Sequence, residues 1–313
     1  MATALSEYAK LSNDVLYQGI IETIIKDSPI LQMMPFIEIV GNALTYNREK
    51  TTPQAAFYAV GDQISAPGAF EFEQLTATLK ILIEDADVDN YVKGTRQNVM
   101  DIEAAMLELA AKAVRQKFEE TFIYGTTTDF LGMSGNTKSF DGIVKLINTS
   151  TSGTQVVTMG GTGAALTLSK LDELIDAVKP GKPDLLLMSK RSRRKLQALA
   201  RASGSLLETE KNSFGEYLQL YNGVPIGVSD YIKDTHALAN GYETAVTGGN
   251  CSTIYALKFG EGAICGIQGP GGLQIEQIGS LESYDAARTR IKWYCAIADF
   301  STLARAALIG VQD

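Results

Sequence analysis

FEFEQLTATLKILI, residues Phe70 to Ile83, alternates position by position. Leu75, Ala77, Leu79, Ile81 and Ile83 fall on one side, with Thr76, Thr78, Lys80 and Leu82 on the other. A period of two belongs to a strand, and Phe70-Glu71-Phe72-Glu73 begins the same alternation. Upstream, Ala55 to Val60, with Phe57 and Tyr58, reads as the partner strand. Between them Gly61, Asp62, Pro67 and Gly68 supply turn chemistry. The segment is therefore expected to form a long hairpin with a polar tip. Two strands alone are marginal in water, so the hairpin should lie against other surfaces.

Downstream the period lengthens. Val99, Ile102, Met106, Leu109 and Ala113 recur at helical spacing, and Val114, Phe118 and Phe122 continue the stripe as it drifts round. Glu103, Glu108, Lys112, Arg115, Lys117, Glu119 and Glu120 occupy the other faces, and Gly125 is read as the C-terminal cap. About 25 residues of helix span roughly 37 Å, long for a globular core. A long hairpin beside a long helix points to an elongated molecule.

Upstream of the hairpin, Val15, Leu16, Gly19, Ile20, Ile21, Ile24 and Ile25 form an apolar stripe that Pro29 and Pro35 end. The apolar run from Leu31 reads as an arm packed on something else, or as a segment docked on its own domain. Beyond residue 140 the pattern is α/β. Val156–Met159 is a short strand, a helix carries Leu168, Leu171, Leu174, Ile175 and Val178 on one face, and Leu185–Met188 is a buried strand. Ser189 caps a basic helix running to about Arg201. Short strands and Gly-rich turns follow, including Gly266, Gly269, Gly271 and Gly272. The last strand alternates Thr289, Ile291, Trp293, Cys295 and Ile297 with Arg288, Arg290, Lys292 and Tyr294.

The whole chain has 313 residues, 45% hydrophobic and 20% charged, which excludes extensive disorder. Its 28 basic and 36 acidic residues leave a net charge of −8, unlike a protein that coats nucleic acid over its whole surface. Glu7 and Asp14 break any signal-peptide core, and Lys292, Asp299 and Arg305 interrupt the longest apolar stretch, so neither secretion nor a membrane is expected. Cys251, Cys265 and Cys295 lack pairing or zinc spacing and are expected to be free, buried thiols.

Catalytic constellations do not assemble. The single histidine, His236, lies beside Asp234 and Thr235 in what reads as an exposed polar loop. Gly132-Met133-Ser134-Gly135 is not a nucleophile elbow. Gly160-Gly161-Thr162-Gly163 follows a strand and precedes a helix, as a phosphate cradle would, yet it lacks the Lys-Ser/Thr pair and the GxGxxG order. Asp85, Asp87 and Asp89 mimic half of an EF-hand loop, but Asn90 and Arg96 stand where Gly and Glu are needed; the commoner meaning is a solvated or ion-pairing strand face. No cofactor or metal is expected. Two basic sets remain as contact faces, Lys190-Arg191-Ser192-Arg193-Arg194-Lys195 and the strand set Arg288, Arg290 and Lys292. Either meets phosphates without reading sequence, or pairs with acidic neighbours, or faces solvent.

Phe57-Tyr58-Ala59-Val60-Gly61-Asp62, the return strand Phe70–Ile83, the helix to Gly125 and then Phe140-Asp141-Gly142-Ile143 come in an order that resembles the Hong Kong 97-type major capsid proteins of tailed bacteriophages. The arm from Ser28 to Phe36 is similar too. The resemblance implies an α+β capsid fold: an N-terminal arm (1–44), an extended E-loop hairpin (45–90), a peripheral domain with a spine helix (91–140), an axial domain (141–280) and a return to the peripheral domain (281–313). It implies a non-enzymatic subunit that self-assembles into hexamers and pentamers of an icosahedral virion shell around double-stranded DNA, bound without sequence specificity. The chain would be made in the host bacterial cytoplasm. Implied partners are a portal, a decoration protein and, because the chain starts with the arm, a separate scaffolding protein or none. The E-loop set, Phe57, Tyr58, Gly61, Asp62, Pro67, Phe70 and Phe72, would reach a neighbour from a base formed by Val99, Ile102, Met106 and Leu109. Two other readings stay open: an encapsulin-like nanocompartment, and a soluble α/β enzyme using the 160–163 turn.

Overall fold

The computed structural model describes residue 24 and residues 28–51, 55–63, 71–91, 102–130, 133–149, 155–160, 163–204, 207–211, 217–236 and 249–312. Pro67, Phe70 and Val99 lie outside the described residues, as does most of the first apolar stripe.

Ser28 opens helix α1 (Pro29–Met33): its hydroxyl accepts a hydrogen bond from Leu31 N at 3.4 Å, and proline occupies the first turn, where its missing N–H costs nothing. Strand β1 (Phe36–Glu38) then runs parallel to β12 (Ile264–Ser280) with Phe36 opposite Gly266. Ile30, Leu31, Met34 and Phe36 are wholly buried. Of the two readings left open for this run, docking on the chain's own body is the one realised. Gly266 makes it feasible, because a Cβ there would sit inside the Phe36 ring.

The hairpin forms with a different partner from the one expected. Strand β2 (Ala43–Thr51) pairs antiparallel with β3 (Glu71–Thr78), Ala43 opposite Thr78 and Arg48 opposite Glu73. Ala55–Val60 is not a strand; it lies within the connection beyond the paired residues. Alternation in β2 is masked by Asn47, Arg48 and Glu49 on a two-stranded ribbon with little to bury, so its period carried no apolar signal.

Leu79 interrupts the alternating segment. After it, β4 (Lys80–Asp89) leaves the hairpin and pairs over its whole length with β13 (Ala286–Asp299), from Lys80↔Cys295 to Asp89↔Ala286. The resulting four-stranded sheet has the order β1-β12-β13-β4. Gly271 and Gly272, read as a turn, form instead a bulge inside β12, both at positive φ, where residues 269–272 face Tyr294 alone.

Helix α2 (Ile102–Tyr124) packs across the inner face of this sheet. Phe118 meets Trp293 at 4.7 Å and Phe140 at 5.7 Å between ring centroids, and Phe36 meets Trp293 at 5.4 Å. Burial of four large rings at tilted angles gives the arm, the spine helix and the central strand one shared core. The helix face that enters it is Leu107, Ala110, Ala111, Val114, Phe118 and Phe122. Met106 and Leu109, which the sequence pattern set on the stripe, are 40% and 60% exposed. The stripe is rotated because two alanines line the contact and let the helix approach, and small residues weigh little in an apolar pattern. Gly125 ends α2 without a left-handed cap conformation, its N–H donating to Thr121 O at 2.7 Å. Helix α3 (Ile143–Thr149) follows and joins the same core.

The second sheet runs β5 (Val156–Thr158), β14 (Arg305–Gln312), β11 (Ser252–Leu257), β7 (Leu185–Met188), β10 (Val224–Val228), β9 (Tyr217–Tyr221) and β8 (Glu208–Lys211), with β6 (Ala164–Ala165) beside β14. One face carries helices α4 (Leu168–Ala177) and α5 (Lys190–Ala202), packed through Leu171, Leu174, Ile175 and Leu196. Thr167 and Ser189 cap them by accepting from Lys170 N and Ser192 N. The other face presents Leu185, Leu187, Tyr255 and Leu257 to the core of the first sheet. A cut at residue 280 does not coincide with a change of sheet: β12 and β13 form one ribbon across it, while β14 belongs to the eight-stranded sheet.

Candidate assembly surfaces

The paired base of the hairpin is fastened to the body, and its far end is not. Tyr46 stacks on Phe300 at 4.6 Å, and its hydroxyl accepts from Asp299 N at 3.1 Å. Arg48 donates to Asp299 Oδ2 at 3.0 Å and to Glu73 Oε2 at 2.8 Å, and Lys80 Nζ donates to Thr137 O at 2.8 Å. Arg305 completes the buried centre, contacting Asp299 and donating to Leu146 O at 2.9 Å. Burial pushes the Asp299 carboxyl up and lowers the Arg305 guanidinium, while Arg305 and Arg48 pull the carboxyl back. Residues Arg48, Glu73, Lys80, Asp141, Asp299 and Arg305 line a cavity of about 460 Å³ at this junction. Opposite charges balance in it, and nothing in it forms a nucleophile–base pair.

Beyond Thr51 residues 55–63 are exposed throughout. Phe57 and Val60 are fully exposed, Phe72 is 67% exposed, and Tyr58 is also uncovered. Asp62 N donates to Ala59 O at 3.1 Å, Ala59 N donates to the Asp62 carboxylate at 2.7 Å, and Gly61 adopts positive φ. So the connection carries a defined turn that presents two large apolar side chains to solvent. On α2, Met106 and Leu109 add a second uncovered apolar strip. Ile102 opens the described helix.

The two basic sets part company. Arg288 pairs with Asp87 through two 2.6 Å bonds, Arg290 with Asp85 at 2.6 and 2.8 Å, and Lys292 with Glu276 at 2.6 Å. The strand set is thereby neutralised by its own sheet, and as a basic contact face it is withdrawn. The same bonds give Asp85 and Asp87 an ion-pairing role, and Arg290 and Arg288 hold their carboxyls below the ordinary range. The cross-strand register puts each arginine opposite its aspartate, a pairing that neither strand's own sequence contains. On α5, Lys190 reaches Asp230 at 2.7 Å and Arg191 donates to Asn250 O at 2.7 Å, whereas Arg194 is exposed.

His236 is buried, not a loop-surface residue: its Nε2 lies 3.1 Å from Tyr124 Oη, and its backbone bridges Cys251. The hydroxyl also accepts from Lys233 N at 3.1 Å, and its two contacts fasten the end of α2 to the second sheet. All three cysteines are free and buried, with the Cys265 thiol pushed up to about 12 by burial. Among the described residues no helix is long and apolar enough to cross a membrane.

These surfaces belong to a molecule whose residues 11–256 match the profile described as the phage capsid family. The chain belongs to that family. No curated protein sequence matches it. Among solved structures this capsid-family chain is similar to the capsid of an empty GTA particle, with TM-score 0.64, 14% identity, and 91% and 90% of the two chains covered. It is similar to the holo-SrpI encapsulin complex from Synechococcus elongatus, with TM-score 0.62, 18% identity and coverages of 90% and 87%. It is also similar to Mycobacterium phage Bobi, with TM-score 0.57, 15% identity and 90% of each chain. The Hong Kong 97-type capsid fold and its α+β class, implied by the resemblance, are thus the fold of this chain. It is a capsid protein of the phage capsid family.

Proposed function

We propose that the chain is the major capsid protein of a tailed phage. Copies form hexamers and pentamers that close into an icosahedral shell around double-stranded DNA, with no catalytic step. The observation that carries this reading is the hairpin connection, where Phe57 and Val60 stand fully exposed on a ribbon whose base is clamped by Arg48 and Tyr46. A monomer gains nothing by ordering such a tip; a neighbour that covers it removes apolar area worth roughly 25 cal/mol per Å². In this reading residues 45–79 act as the E-loop, α2 is the spine of a peripheral domain, and the eight-stranded sheet with α4 and α5 is the axial domain. A portal, a scaffolding protein and a decoration protein complete the partners, and assembly takes place in the host bacterial cytoplasm.

Electron microscopy of the expressed chain tests this. Closed shells or capsomer rings are expected, and a monodisperse monomer at high concentration would overturn it. The likeness to the holo-SrpI encapsulin supports a second reading, a protein-filled compartment. Particles purified from the native source separate the two: nuclease-protected DNA inside favours the phage, and a co-purifying enzyme favours the compartment.

A further inference from the structure

The helices α4 and α5 lie on the same face of the eight-stranded sheet and carry opposite charge. On α4, Asp172, Glu173 and Asp176 are exposed, and its one cation, Lys170, is spent on Glu173 at 2.6 Å. Helix α5, KRSRRKLQALARA, has six cations and no acid. Lys190, Arg194 and Arg201 are exposed along its outer side. Lys190 meets Asp230 in a pair more than 60% exposed on both sides, and Arg191 lies 3.8 Å from Asp234. Among the described residues no carboxylate lies within 4 Å of Arg194 or Arg201, and no cation lies within 4 Å of Asp176.

Resting on the shell reading above, we infer that these faces are the two halves of one contact between copies, acidic α4 of one chain against basic α5 of the next. Complementary surfaces select register and orientation more than they add affinity. Like faces repel, so α4 does not meet α4 and α5 does not meet α5. Each contact joins the acidic helix of one copy to the basic helix of another, an arrangement open both to a closing head-to-tail ring and to a two-fold pair. DNA is the other occupant that a basic helix could take. The acidic α4 on the same sheet face counts against it, because phosphates approaching α5 would meet three exposed carboxylates alongside.

Charge reversal tests the inference. Glu173→Lys with Asp176→Lys, and separately Arg194→Glu with Arg201→Glu, should each abolish closed particles in micrographs and sedimentation at moderate salt. All four reversals in one chain should restore them, since the complementarity is then inverted and intact. Far-UV circular dichroism checks folding, and if a reversal misfolds, Asp176→Asn and Arg194→Gln should still raise the protein concentration needed for assembly. Normal assembly of either reversed chain overturns the inference, as does failure of the fourfold variant to recover while folded. Normal shells that lose only protected DNA in the α5 variant assign the helix to phosphate instead. Failure of the wild-type chain to assemble at all refutes the shell reading and takes this contact with it.

Discussion

Arg48 and Asp299, 251 residues apart in sequence, share a 3.0 Å ion pair that ties the first hairpin strand to the end of the central strand β13. Asp299 and Arg305 are both almost fully buried. Removing one partner of a buried pair costs about 3–5 kcal/mol, because the other charge is left without compensation. Asp299→Ala should therefore lower the stability of the unassembled chain by that amount in urea titrations. Arg48→Met leaves Asp299 its Arg305 partner and should cost less, about 1.5–3 kcal/mol for hydrogen bonds to a charged group. Equal losses for the two would mean that Arg48, not Arg305, neutralises the carboxylate.

The ladder of Asp87–Arg288 and Asp85–Arg290 should make stability sensitive to acid. Hydrogen bonds from the arginines hold both carboxyls below their ordinary range, so below about pH 4 the unfolded chain binds protons that the folded chain resists. The contribution is fully present above the unfolded value near 3.9 and is lost as pH falls through the lower folded values. Asp85→Asn with Asp87→Asn should lower the melting temperature at pH 7, and the gap from wild type should close toward pH 3. A gap that widens on acidification would refute this assignment.

Much of the fold was legible because strong periods are local. β13 alternates through Thr289, Ile291, Trp293 and Cys295, and the capped starts of α4 and α5 need only Thr167 and Ser189. What failed was set by long-range partners. β2 has no apolar period because a two-stranded ribbon buries one side thinly, so its pairing with β3 depends on register alone. Met106 and Leu109 matched a helical stripe, yet Ala110 and Ala111 make the real contact, and His236 looked like a loop residue until Tyr124 was brought to it. Likewise the basic strand face could not be discounted before β4 was placed beside it. The uncovered apolar turn was not legible: a polar tip and a strand over Ala55–Val60 are what the sequence suggests, whereas Phe57 and Val60 stand exposed in the connection.

Gly266 should be intolerant of any side chain. It lies opposite Phe36 in the parallel pair that docks the arm, and an added Cβ would collide with the Phe36 ring. Overpacking of this kind costs typically 1–3 kcal/mol. Gly266→Ala should destabilise the chain by about that much in denaturant titrations and increase protease cutting near residues 34–40. Gly262, where a Cβ meets open space, serves as the control: Gly262→Ala should be close to neutral. Comparable losses at both glycines would rule out the ring contact as the cause.

Phe57 and Val60 should matter to assembly and not to folding. Both are fully exposed and contribute no burial to the isolated chain, so Phe57→Ser and Val60→Ser should leave its melting temperature unchanged. Burying one such side chain is worth about 1.5–3 kcal/mol, and 3 kcal/mol is roughly a hundredfold in an association constant. The double variant should therefore need at least tens of times more protein to form shells, read as a shift in the concentration at which light scattering rises. Tyr217→Ser, at an exposed residue on the far sheet, controls for a general loss of surface apolarity. If the tip variants assemble at wild-type concentration, the neighbour does not cover Phe57 and Val60, and the clasp must lie closer to the Arg48 base.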